Sequence, residues 1–211
     1  MNTNPSIAEL QNREKYTLLA ELDHLHIKEF VLDQVRTGNR LIRMYMGYQC
    51  LMICLGTFFA VLSVVKAFHG EMKELCYSLA ALVFSFSFLV IFHELLHGLA
   101  FKAVGVPRVT YGVLPKKFIF YAEADRFVLN SRQFRIVALA PLWIIKLVSL
   151  AGMACFFSHP ALWFFMVVMC LHSLFCAGDI AMLSFMNRYP GEVYTYDNKK
   201  EKKSYYFRKI M

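Results

Sequence analysis

The sequence predicts an all-α polytopic membrane protein of about four transmembrane helices, with a small β-hairpin in the loop between the second and third. Three observations carry this. Hydrophobic residues make up 58% of the chain and charged residues only 18%, abnormal values for a soluble domain of 211 residues. Four apolar segments, about Ile42 to Val65, Leu75 to Phe101, Ile136 to Phe157 and Ala161 to Phe185, are each long enough to cross ~30 Å of hydrocarbon at ~1.5 Å per residue. In lipid the backbone must satisfy its own hydrogen bonds, so helices are the expected form. Lys and Arg, finally, cluster between and after these segments, as membrane flanks do.

The polar stretch ahead of the first segment, residues 1–41, is expected to be a cytoplasmic amphipathic region. Leu18, Leu22 and Leu25 recur among charges over Ser6 to Val35, which predicts a helix on the membrane surface. No cleavable leader is expected from its composition. His24 and His26, at i and i+2, do not share a helix face and are expected to be solvated. Residues 42–186 then form the four-helix domain, and 187–211 a cytoplasmic basic tail. Arg36, Arg40 and Arg43 precede the first segment, seven Lys and Arg fill the loop after the second, and the tail carries seven more. These clusters share one side if both termini are cytoplasmic, in a multi-pass protein of the cell membrane. The run Lys199-Lys200-Glu201-Lys202-Lys203 is expected to sit against anionic headgroups. Within the loop, Arg108 to Leu114 and Phe118 to Ala124 are β-like about a turn at Leu114 to Lys117. The alternative is an irregular loop packed on headgroups; a hairpin would have a free edge on which a substrate strand can be added.

The net charge of +8 does not point to nucleic acid, because the basic residues are not interleaved with aromatics on a polar domain. The six cysteines form no Cys-x-x-Cys pair and are expected to be small apolar packing residues.

Chemistry concentrates in the second segment, where His93-Glu94-Leu95-Leu96-His97 reads H-E-x-x-H. On a helix, positions i and i+4 share a face, so both imidazoles can reach one metal ion, with Glu94 beside it as general base. His and Glu are rare in an apolar span, which argues for a purpose; the alternative is polar packing between helices. One Zn2+ needs three protein ligands and an open position for water. Asp179 is the preferred third ligand. It lies 18 residues into its segment, as His93 does, so both are ~27 Å from their outer ends. His172, ~10 Å nearer the outer face, is the second choice, or else a hydrogen-bonding residue. Gly178 lets a neighbouring helix approach or lets its own helix distort. Lys146 is a candidate oxyanion donor, or a snorkelling or paired cation, with Tyr111 and Tyr121 as further donors.

H-E-L-L-H-G in the second segment, Y-A-E-A-D-R-F in the basic loop and G-D-I in the fourth segment resemble the membrane zincin peptidases, a bacterial family similar to the site-2 intramembrane proteases. The resemblance covers roughly Leu75 to Val193. It implies a zinc peptidase that cleaves membrane-anchored or membrane-near proteins, with the late aspartate ligand of site-2 proteases falling on Asp179. Site-2 proteases usually place Asn-Pro before that aspartate; here the stretch reads Cys176-Ala177-Gly178-Asp179. Two other readings fit the motif: a zinc hydrolase of a lipid or small amide or ester, and a non-enzymatic scaffold with a structural metal site.

Overall fold

The protein is described by a computed structural model covering residues 4–114 and 119–210. In chain order the elements are α1 (Ile7–Leu10), β1 (Tyr16–Asp23), α2 (Ile27–Thr37), α3 (Arg40–Phe68), α4 (Met72–Phe84), α5 (Val90–Ala103), β2 (Thr110–Leu114), β3 (Ile119–Glu123), β4 (Leu129–Asn130), α6 (Ser131–Cys155), α7 (Ala161–Phe175), α8 (Ala177–Met186), β5 (Val193–Asn198) and β6 (Lys203–Lys209). A π-helical stretch, Ser85–Leu89, joins α4 to α5. Among the described residues, three helical runs are long and apolar enough to cross a membrane: Arg40–Phe68, Met72–Ala103 and Ser131–Cys155. A fourth results if α7 and α8, bent by 42°, are taken as one span. Large apolar side chains such as Phe58, Val61, Phe86, Phe88, Leu147 and Val148 are exposed on these runs, which is the surface that lipid would cover.

The chain divides into two compact units. The first comprises Met1–Arg43, Glu94–Ala140 and Gly178–Met211. Its centre is a four-stranded antiparallel sheet in the order β1-β6-β5-β4. Alternation along β5 explains why both faces are covered. Tyr194 and Tyr196 pack with Phe207, Leu10 and Val128, while Val193 packs with Tyr206, Leu22, Phe185 and Met186 on the other side. The capping box of Ser6 and Glu9 starts α1, and Gly38 at φ +57° ends α2 in the left-handed conformation that glycine tolerates. A third apolar cluster, Ala100, Phe101, Val106, Ala124, Leu129 and Val137, fixes the end of α5 against the loop and α6. The β2–β3 hairpin is antiparallel, with Thr110 opposite Glu123 and Gly112 opposite Tyr121.

The second unit comprises Met44–His93 and Pro141–Ala177. Its core joins α3, α6 and α7 through Met52, Met169 and Cys170, with Tyr48, Leu55, Met153 and Met166 around them. Small residues permit close helix packing: a Cβ on Gly152 would collide with the Phe165 ring. The end of α7 leaves last-turn carbonyls without in-helix donors. The Ser173 carbonyl accepts from the Tyr45 hydroxyl at 2.6 Å and Gln49 Nε2 at 2.5 Å.

The fold departs from the sequence expectation in four places. The chain is mostly helical but not all-α, since it contains the four-stranded sheet besides the expected hairpin. The stretch Ser6 to Val35 is not one amphipathic helix: Leu18 and Leu22 lie on β1, and only α2 is helical at its end. Tyr16-Thr17-Leu18-Leu19 follows β rather than helical preference once a partner strand exists. That partner comes from the basic tail, which is ordered into β5 and β6. Its Lys-rich run is their connection, with the amide N–H of Lys200 donating to Asn198 Oδ1 at 3.2 Å and that of Lys199 to Asp125 Oδ1 at 2.9 Å. His24 is accordingly half-buried, 3.1 Å from Ser204 Oγ. The fourth apolar segment, finally, breaks at Cys176 instead of running as one straight helix. The expected hairpin turn at residues 115–117 lies outside the described residues.

Candidate metal centre

One turn of α5 carries His93, Glu94 and His97, and their ligand atoms lie within 4.8 Å of one another. Both histidines are buried and Glu94 is half-buried. The i, i+4 spacing puts both rings on one face, and the π-helical stretch ends four residues before His93. Such single-turn insertions are common at functional positions of helices.

The orientation of His97 follows from a proline. Pro141 lies inside α6 and has no N–H, so the carbonyl four residues earlier, Val137, receives no in-helix hydrogen bond from it. That carbonyl accepts from His97 Nδ1 at 3.0 Å. A carbonyl can only accept, so Nδ1 carries the proton and Nε2 is the nitrogen left for a metal. His97 Nε2 lies 3.3 Å from Asp179 Oδ1. Two ligands of one tetrahedral zinc, at ~2.0–2.2 Å each, stand about 3.4 Å apart. The imidazole–carboxylate pair therefore fits the group chemically and in spacing.

Asp179 reaches this position because the break at Cys176 starts a new helix, placing Asp179 in the first turn of α8. A carboxylate is favoured there by the unpaired amides of a helix N-terminus. A Cβ on Gly178 would meet nothing within 4 Å, so close packing does not account for this glycine. In the second unit, His93 Nδ1 lies 3.0 Å from His172 Nε2, and Cys176 Sγ lies 3.8 Å from the same nitrogen. His172 is thus within hydrogen-bonding distance of the motif's first histidine. Glu94 Oε2 accepts from the amide of Ala122 on β3 at 2.7 Å.

Of the remaining candidates, Lys146 Nζ sits 4.1 Å over the Tyr48 ring, an aromatic face that stabilises its charge. The Tyr111 hydroxyl occupies the space a side chain at Gly98 would need, so the hairpin packs on α5 one residue beyond His97. Beside it, Glu123 is almost fully buried, and its Oε1 has no hydrogen-bond partner among the described residues. Burial, reinforced by Asp197 and Asp125, pushes its carboxyl up to about 7.

Sequence reasoning missed three contributors. Pro141 had a visible signal, a proline within an apolar helix four residues after the carbonyl that His97 uses. Cys176 repeats the i, i+4 spacing of the motif with His172. The Ala122 amide carries no sequence signal, since every residue but proline has one.

The family model described as putative zincin peptidase matches residues 86–194, more than half of the chain, and that span contains every residue of this centre. No curated protein and no solved structure matches the chain.

Proposed function

The chain belongs to this zincin peptidase family, and from that membership we propose a zinc-dependent, membrane-embedded peptidase that hydrolyses membrane-anchored or membrane-near proteins. His93, His97 and Asp179 hold the zinc and Glu94 is the general base. The observation that carries this reading is the 3.3 Å approach of the Asp179 carboxylate to His97 Nε2, which adds a third ligand to the motif's two.

Bound zinc supplies Lewis acidity, acidifying water and polarising the scissile carbonyl. The protein's own groups do the rest. Val137 fixes the His97 tautomer and His172 holds the His93 ring, as outer partners of metal ligands do. Glu94 takes the proton of the attacking water and returns it to the leaving amine. Its carboxylate is held for this by the Ala122 amide. The same contact favours a peptide substrate over a lipid: the outer edge of β3 lies beside the base, and an extended peptide can add to that edge. The basic flanks support cytoplasmic termini in the cell membrane, with the lysine-rich β5–β6 connection against anionic headgroups.

Cleavage of a fluorescently labelled transmembrane peptide by detergent-purified protein tests the reading. Glu94→Gln should keep its zinc and lose roughly 10²–10⁴-fold in turnover. Equal turnover by both proteins, or hydrolysis of a lipid ester without any peptide cleavage, overturns it.

A further inference from the structure

His93, His172 and Cys176 are buried together in the second unit, with exposures of 5%, 2% and 0%, and their ligand atoms lie within 4.8 Å of one another. The spacing is that of a metal's donor set. His93 Nδ1 and His172 Nε2 are 3.0 Å apart, against about 3.3 Å for two nitrogens on one tetrahedral zinc. Cys176 Sγ is 3.8 Å from His172 Nε2, against about 3.6 Å for a sulfur and a nitrogen on the same ion. Two imidazoles and a thiolate select zinc and softer ions over magnesium or calcium. The backbone also contributes, because the break after Phe175 leaves Cys176 beside the His172 ring one turn below it.

We propose that these three residues form a second metal site, of two nitrogens and one sulfur, for zinc or a more thiophilic cation. It alternates with the motif's site. A neutral imidazole has one lone pair, so His93 offers either Nε2 to the motif's zinc, with Nδ1–H donated to His172, or Nδ1 to the thiolate site. A metal in the thiolate site therefore removes one ligand from the peptidase centre and holds it inactive. The thiolate forms as the thiol proton leaves to solvent on metal binding.

Cadmium is the probe, because it prefers sulfur and its thiolate bond absorbs in the ultraviolet. Cadmium titration of the wild-type protein in detergent should give a sulfur-to-metal charge-transfer band that is absent in Cys176→Ala and Cys176→Ser. His97→Gln/Asp179→Asn, which keeps only the second donor set, should still bind about one zinc. Its X-ray absorption should show a single sulfur at ~2.3 Å. No band in the wild type, or a band that persists in both Cys176 variants, overturns the proposal; should the double variant not fold, that comparison decides alone. Peptidase activity is read separately. It is read on the zinc-loaded Cys176→Ala variant, which lacks the second donor set: a wild-type thiolate band with no peptide cleavage by that variant sinks the peptidase reading and keeps this site, and cleavage without the wild-type band does the reverse.

Discussion

Replacing Pro141 by Ala should make the protein somewhat more stable while weakening its hold on zinc. The substitution restores a backbone N–H in the middle of α6, opposite the Val137 carbonyl that now accepts from His97. Relieving an interior proline is worth up to ~3 kcal/mol to a helix. Pro141 is almost fully buried, and losing about two ring methylenes at ~0.8 kcal/mol each returns part of that. The net expectation is a gain of about 1 kcal/mol, or a melting temperature higher by ~2–4 °C. The metal should respond in the opposite sense. With the carbonyl claimed by the new N–H, His97 loses the partner that fixes its tautomer, and removal of such partners typically costs 10–100-fold in affinity. Competition with a fluorescent zinc chelator and thermal unfolding in the same detergent read the two effects. Unchanged zinc affinity in a folded variant would refute the assignment of the Val137 carbonyl as the orienting group.

In a Cys176→Ala background, which removes the second donor set, Asp179→Asn should reduce zinc content far more than His172→Ala, whose loss is expected at 10–100-fold in affinity; mass spectrometry of metal in the purified variants compares them. Gly152→Ala forces a methyl into the Phe165 ring and should cost ~1–3 kcal/mol by thermal unfolding, with Gly152→Ser no better. Glu123 holds its proton up to about pH 7 in the folded protein, against about 4.5 unfolded. Its contribution is complete below pH 4.5 and fades as pH rises through 7, by at most about 3 kcal/mol. Glu123→Gln should therefore flatten the decline of melting temperature between about pH 4.5 and 7, and a decline as steep as the wild type's would count against the burial argument.

The helices were legible because lipid-scale apolar runs need no partner to be recognised. Their bounds moved by only a few residues, from Ile42 to Val65 in expectation to Arg40–Phe68 in the fold. The sheet was not legible for the opposite reason. Tyr16–Asp23 becomes a strand only by pairing with Lys203–Lys209, and neither stretch signals the other. The motif announced His93, Glu94 and His97 by spacing alone. Depth along two helices pointed to Asp179, although the break that turns it towards His97 was visible only as a glycine beside it. His172 and Cys176 carry no Cys-x-x-Cys signal, and their i, i+4 spacing reaches across the end of α7.

The pairing of β1 with β6 has a consequence for biogenesis. His24 and Ser204, in contact in the folded chain, are 180 residues apart. At ~5–20 residues per second, the ribosome delivers the second roughly 10–40 s after the first. Every apolar helix is synthesised in that interval, so the N-terminal strand must wait with its edge open until they have all been made. High contact order of this kind slows the last folding step. The first unit, which holds Glu94, His97 and Asp179, is thus completed only after β6 has been made, and the late closing of the sheet delays the assembly of the candidate metal centre on a nascent protein.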